Sequence, residues 1–457
     1  MNQKKLKMNQ IILSKVKSLH RVIRIVFLAL FFFIVNEVVA QEVYDLTRCI
    51  QTGLERNFSL QVVRNYEEIA KNDYTKGNAG MLPTISLTSR YGGTVNSSKQ
   101  DYVDEVVNSS GVLNTYGSAA VNLGMDIFRG FQVKNTYQKL GNQFELGGLS
   151  TQMSIENLVA QIVSEYNYYI QQLTLYKNLA YAVSLSRERL RIDEERYLLG
   201  SASKVEFLQS MVYLNADSSR YSRQKEILHN SQVKLNELMA SENLGQKLIL
   251  KDSLIKIRED LLYDDLLENT LDYNTGLKIA AKNQIISELD YKIIKSRSYP
   301  YLTMSTGYGY NYNKYGTGTL LNQDVHGLNY GFTLGFDIFD GFNRSREKNN
   351  ALIVIENKKI QYNEIEQEVT ADLLTIYYAY ENNLRLLRLE EQNLEVAREN
   401  LEIALERYKL GSLSGIELRE VQKSLLDAEE RLILVKYQTK LAEISLLQIS
   451  GRIMEYI

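Results

Sequence analysis

The residue types that usually carry catalysis are scarce in this chain, and those present are not spaced for it. His229 and His326 are the only histidines beyond the first forty residues, one in a helical pattern and one in an expected outer loop. Neither stands at a metal-ligand spacing or beside a nucleophile, so hydrolytic and metal chemistry have no centre to work from. Cys49 is the single cysteine, which leaves no disulfide and no paired thiol. Carboxylates are many, as on any charged helix, and two stand in a defined local role. Ser203-Lys204-Val205-Glu206 and Ser414-Gly415-Ile416-Glu417 are capping boxes, in which serine and glutamate satisfy the free amides of a helix start. Glu420, one turn further on, has no capping role and lies on a charged helical face. No catalytic residue, cofactor or metal is expected.

The two boxes open matching helices because the chain is two copies of one unit. LGMDIFRGF, Leu123 to Phe131, and LGFDIFDGF, Leu334 to Phe342, lie 211 positions apart and differ only at Met125/Phe336 and Arg129/Asp340. RYLLG at Arg196–Gly200 and RYKLG at Arg407–Gly411 keep the same spacing. Upstream it becomes 217, with Leu54, Asn57, Leu60, Tyr74 and Pro83 matching Leu271, Asn274, Leu277, Tyr291 and Pro300. The six extra residues of the second spacing fall between Pro83 and Leu123, in a loop. A repeat of this kind defines the fold: helix, strand, loop, strand, very long helix, tight turn, helix.

The ends frame this repeat. Seven basic residues precede the apolar run Ile25–Val35, and Val38-Val39-Ala40 offers small residues for cleavage, so residues 1–40 read as a secretory signal peptide. Eleven apolar residues are too few to span a bilayer as a helix, and no later stretch comes closer. The leader carries seven bases and one acid, a net +6, so its removal takes the formal charge from −2 to −8. A mildly acidic chain without a basic patch has no nucleic-acid footprint. Cys49 does not directly follow the cleavage point, so it is not read as a lipid anchor.

Four segments alternate with period two. Leu302, Met304, Thr306, Tyr308, Tyr310 and Tyr312 oppose Thr303, Ser305, Gly307, Gly309, Asn311 and Asn313, and Leu328 to Ile338 repeat the pattern. The first copy does so through Ile85, Leu87, Tyr91 and Val95, then Ala119 to Ile127. One face is apolar and aromatic and the other small and polar, as in a soluble sandwich or an outer-membrane barrel. The leader, strands of about 10 to 13 residues and tyrosines near the strand ends (Tyr299, Tyr301, Tyr312, Tyr315) favour the barrel. Single-chain barrels begin at about eight strands, so several copies must share one. After Phe342 the period becomes helical over 66 residues, roughly 100 Å. From Val421 to Ile449 apolar residues alternate in threes and fours, the repeat of a left-handed coiled coil.

Strands that run into such helices twice per chain, the IFxGF junctions, the LP and YP strand starts at Pro83 and Pro300, and the RYxLG turns resemble the TolC family of outer-membrane channel proteins over the whole mature chain. Asp126 and Asp337 depart from the Gln-Pro that usually precedes Ile-Phe in that family. The resemblance implies an α+β membrane protein: a homotrimer whose twelve-stranded β-barrel, four strands per chain, continues into an antiparallel α-helical coiled-coil tunnel reaching the periplasm. It also implies an outer-membrane channel of a tripartite efflux or type I secretion system, a passive conduit fed by an inner-membrane pump through a periplasmic adaptor. The family's acidic aperture falls on Glu417 and Glu420. Its tip lock falls on Tyr408 with Glu206 as acidic partner, while the lock's arginine position holds Leu413, implying a weaker or rearranged lock. The turns Arg196, Gly200, Ser201, Arg407, Gly411 and Ser412 look like adaptor-docking tips; Gly200 and Gly411 also read simply as helix C-caps. The competing reading is a non-conducting structural or adhesive coiled coil anchored by a barrel; the short expected loops, near Asn96–Thr115 and Asn313–Gly327, and the small inward residues favour a channel. The expected divisions are the leader 1–40, repeats 41–240 and 262–450, a linking or equatorial segment 241–261 and a tail 451–457. Cargo, pump and adaptor are not encoded in any readable pattern.

Overall fold

The computed structural model describes residues 43–457; the leader expected over residues 1–40 lies outside them. A small unit holds a parallel pair, Val43–Tyr44 with Ile249–Leu250. The larger unit has the repeat in its elements. The first half is α1 (Leu46–Arg56), α2 (Phe58–Asp73), β1 (Thr84–Asp101), β2 (Val106–Arg129), α3 (Gln132–Leu198) and α4 (Lys204–Leu238). The second is α5 (Tyr263–Tyr273), α6 (Thr275–Ser296), β3 (Tyr301–Lys314), β4 (Asn322–Gly335), α7 (Asn343–Lys409) and α8 (Gly415–Ile449). Both α3 and α7 have 67 residues, and both α4 and α8 have 35.

Each matched residue has a mechanical reason. The Asn57 side chain accepts the Leu60 amide, starting α2, and donates to the Leu238 carbonyl at the end of α4. Asn274 does the same between Leu277 and Ile449. One asparagine per half thus caps one helix start and one helix end. The GF pairs Gly130-Phe131 and Gly341-Phe342 are all left-handed, a double αL step that converts strand into helix. Each phenylalanine packs edge-to-face on the earlier one of its IFxGF, Phe128 with Phe131 and Phe339 with Phe342, centroids 5.3 Å apart.

The four strands form one antiparallel sheet in sequence order. Its register carries the two-faced pattern across every strand: Leu87–Val121–Tyr308–Leu328 form one row and Ser86–Asn122–Gly307–Asn329 the next, on the opposite face. The strands are longer than the 10 to 13 residues expected, at 18, 24, 14 and 14. The loop expected near Asn96–Thr115 is a continued ladder that turns only at Tyr102–Glu105, with Ser98 bonded to Ser109 across it. A backbone ladder needs no apolar side chains, so polar residues extend it unseen.

The helical hairpins differ in what they bury. Along α7 every seventh residue is buried, Leu373, Tyr380, Leu387, Leu394, Leu401 and Tyr408, and the last three cluster with Leu418, Leu425 and Ala428 of α8. Along α4 the heptad positions are polar: Ser210, Asp217, Gln224 and Ser231. Three of them bond to α3, with Asp217 accepting from Ser186, Gln224 donating to Gln172 at 2.8 Å and Ser231 to Glu165 at 2.7 Å. Between the halves, Asp252 accepts from Tyr166 at 2.8 Å, the Arg258 carbonyl accepts from Tyr380, and the fully buried Glu443 accepts the Arg258 amide at 3.0 Å. The tail is also packed: Ile453 is buried, and Tyr456 donates to Glu443 at 2.6 Å.

Candidate functional site

The turns α3–α4 and α7–α8 bound a cleft of about 850 Å³, lined among others by Arg189, Asp193, Arg196, Glu206, Tyr213 and Tyr408. Both turns close in the same way. Gly200 and Gly411, at φ +77° and +74°, let the Ser201 and Ser412 amides reach back to the Arg196 and Arg407 carbonyls at 2.8 and 2.9 Å. The serine hydroxyls donate to the same carbonyls. Around these turns Leu198, Leu199, Val205, Leu410 and Ile416 are left exposed. The six turn residues are therefore built as two equivalent rigid tips with apolar rims.

Tyr408 is the last buried heptad residue of α7, and its hydroxyl donates to Asp193 of α3. The Arg189 guanidinium stands 3.6 Å from that carboxylate, while Arg196 lies 4.8 Å over the Tyr408 ring and donates to its carbonyl at 2.6 Å. Glu206 lines the same cleft but is engaged in its own capping box, accepting the Ser203 amide at 2.7 Å. Within one chain the acid that Tyr408 meets is thus Asp193. Leu413 packs into the apolar cluster at the tip, and the cations lining the cleft are Arg189, Arg196 and Lys409.

A second fastening joins α4 to α8. Asp217, 0% exposed, accepts both Arg419 amino groups at 2.7 and 2.8 Å and the Ser186 hydroxyl of α3. Tyr213 lies between two guanidiniums, 4.8 Å from Arg189 and 5.0 Å from Arg419. Asp193, Asp217, Arg189, Tyr213 and Arg419 were not singled out from sequence; a buried heptad position occupied by aspartate was the available signal.

Glu417 caps α8: its carboxylate accepts the Ser414 amide at 2.9 Å, and its own amide donates to the Ser414 hydroxyl at 3.3 Å. Bonding by that amide and then by the hydroxyl holds its carboxyl below the usual glutamate range. Glu420 is exposed one turn on and forms no hydrogen bond among the described residues. Spaced by three, the two carboxylates share one face of α8.

Burial first, and Asp193 second, push the Tyr408 phenol up to about 12. A raised pKa means that the folded chain holds this proton more tightly than the unfolded chain. The resulting stability is complete below the ordinary phenol value near 10 and is lost as pH rises from there to about 12. Tyr408→Phe is expected to lower stability by about 1–3 kcal/mol at pH 8, with its melting curve converging on wild type by pH 12. A constant difference at both pH values would show that the hydroxyl bond is not the source.

The outer membrane efflux protein family matches residues 49–241 and 266–452, which is most of the chain. The outer membrane protein TolC of Vibrio cholerae serotype O1 is 20% identical over 425 residues, covering 90% of this chain and 91% of that protein. The fold is shared with a membrane protein from Pseudomonas aeruginosa, with TM-score 0.74, 15% identity, and 89% and 90% of the two chains covered. The outer membrane protein VceC of Vibrio cholerae superposes with TM-score 0.71, 16% identity, and 89% and 96% covered. The matched halves, the paired junctions and the family match lead to one conclusion: the chain belongs to the outer membrane efflux protein family.

Proposed function

We propose that three copies form an outer-membrane conduit with helices extending into the periplasm, through which cargo passes from an inner-membrane pump and a periplasmic adaptor. The observation that carries this reading is the unfinished sheet. Leu87, Tyr91, Tyr330 and Leu334 on its apolar face are between 74 and 80% exposed, and β1 and β4 each have an edge with no strand beside it among the described residues. Such a face needs lipid, and such edges need further strands. Three copies make twelve strands, with β4 of one beside β1 of the next.

Chain continuity supports the same seam below the sheet. Helix α2 leads into edge strand β1, and α7 leaves edge strand β4. Phe58, Val62, Tyr66 and Ile69 of α2 form an exposed stripe at helical spacing, and Ile353 and Ile360 of α7 are exposed one heptad apart. In this reading residues 1–40 are the export leader, 41–240 and 262–450 the two repeats, 241–261 the link and 451–457 the tail. Glu417 and Glu420 supply six carboxylates at the periplasmic aperture. The rigid tips at Arg196, Gly200 and Ser201, and at Arg407, Gly411 and Ser412, receive the adaptor. Tyr408 fastens the closed state, with Glu206 on the rim of the same cleft. A purely structural barrel fits less well, because the sheet's polar face is glycine, serine, threonine and asparagine, which leave space open. Light scattering of the detergent-solubilised protein, corrected for bound detergent, is expected to give the mass of three chains; a monomer or dimer would overturn the assembly.

A further inference from the structure

Through the middle of the sheet the polar face is almost free of charge, and the exception there is single. From Thr84 to Gly92 of β1, and through the residues paired with them on β2, β3 and β4, the only ionic side chain on that face is Arg90. Its row reads Arg90–Ser118–Asn311–Val325; the row below, Thr88–Ala120–Gly309–Gly327, has no side chain larger than threonine. Arg90 is exposed and forms no hydrogen bond or ion pair among the described residues. On the opposite face of the same strand, the exposed apolar residues Leu87, Tyr91 and Val95 bracket it, so it lies within the depth of the apolar band. An arginine turned to lipid at such a depth costs about 2–4 kcal/mol. Its uncharged neighbours, small in its own row and the one below, leave it room to stay hydrated if that face is wet.

We propose that Arg90 is a specificity-determining residue: three copies form a cationic ring midway along the barrel lumen and favour solutes bearing carboxylate or other anionic groups there. This rests on the trimeric conduit reading. The ring has the opposite sign to the aperture carboxylates Glu417 and Glu420, so the two ends of the path select in series. Among the described residues neither hydrogen bonds nor packing hold Arg90 in place, so its replacement leaves the fold of the single chain intact.

The test is the reversal potential across a potassium chloride gradient in planar bilayers, for trimers verified by light scattering. Low salt is used, because the Debye length of about 10 Å at 0.1 M shrinks to about 3 Å at 1 M. Wild type, Arg90→Gln and Arg90→Glu are compared, each also with Glu417→Gln and Glu420→Gln to remove the aperture's own preference. The anion-to-cation permeability ratio is expected to fall several-fold with glutamine and further with glutamate, and the differences to fade at 1 M salt. Conducting trimers whose ratio does not change with residue 90 in either background overturn the proposal while leaving the conduit standing. Verified trimers that never conduct overturn both. An Arg90 that binds lipid phosphate on the outside of the sheet belongs with the first of these results.

Discussion

Arg419→Leu is expected to loosen the tip more than any other single side-chain change there. It leaves Asp217 with no cation to pair with, and Asp217 is fully buried. Breaking a buried pair from one side costs about 3–5 kcal/mol, because the remaining charge stays desolvated. Removing both partners is milder, so Asp217→Leu with Arg419→Leu is expected to recover part of the loss. The effect falls on the α4–α8 junction, where Arg419 reaches across between hairpins otherwise joined by Tyr408 and by Leu185 and Ile192 against the α7–α8 cluster. Hydrogen exchange over residues 413–420 reads it: faster in the single variant, slower again in the double. Unchanged exchange in the single variant would mean that the ion pair holds nothing.

Gly130→Ala is expected to disrupt the strand-to-helix junction within a single chain, whereas the space beside Gly341, its matched residue in the repeat, lies on the seam proposed with the next copy. Both have positive φ, +57° and +68°, so any side chain costs about 1–2 kcal/mol at either. At Gly130, however, a Cβ would lie 2.2 Å from the Ser296 carbonyl oxygen and 2.9 Å from the Tyr299 Cβ. Backbone must move to admit it. Within one chain the nearest atom to a Cβ at Gly341 is the Asn343 side-chain amide nitrogen at 3.7 Å. The yield of heat-resistant trimer reads the effect, with near loss expected for Gly130→Ala. A yield equal to wild type would contradict the geometry at Ser296.

These examples show which parts of the molecule are legible in its sequence. The junction, the turns, the capping boxes and the coiled-coil heptads are local, so spacing reveals them; Leu425, Ala428, Val435, Thr439, Ala442 and Leu446 are buried as the alternation of threes and fours requires. The faces of the sheet are equally legible, because period two survives in every strand. The strand ends are not, because Asn96–Asp101 and Val106–Thr115 pair through backbone and hydroxyl groups that leave little apolar signature. The tip networks are the least legible. Asp193 meets Tyr408 from 215 positions away, and Asp217 meets Arg419 from 202. Each acid is one among many on a charged helix, and only packing shows that it is buried. The crowding at Gly130 is likewise tertiary, since it depends on where the end of α6 meets the junction.

The central claim, a conduit whose periplasmic end is lined by Glu417 and Glu420, is tested most directly by single-channel conductance in a planar bilayer, wild type against the variant with Glu417→Ala and Glu420→Ala. The account predicts a low, cation-selective conductance in wild type that loses its selectivity when the carboxylates are removed. No conductance from either protein, in a preparation shown to be trimeric, would contradict it and leave a plugged or purely structural barrel.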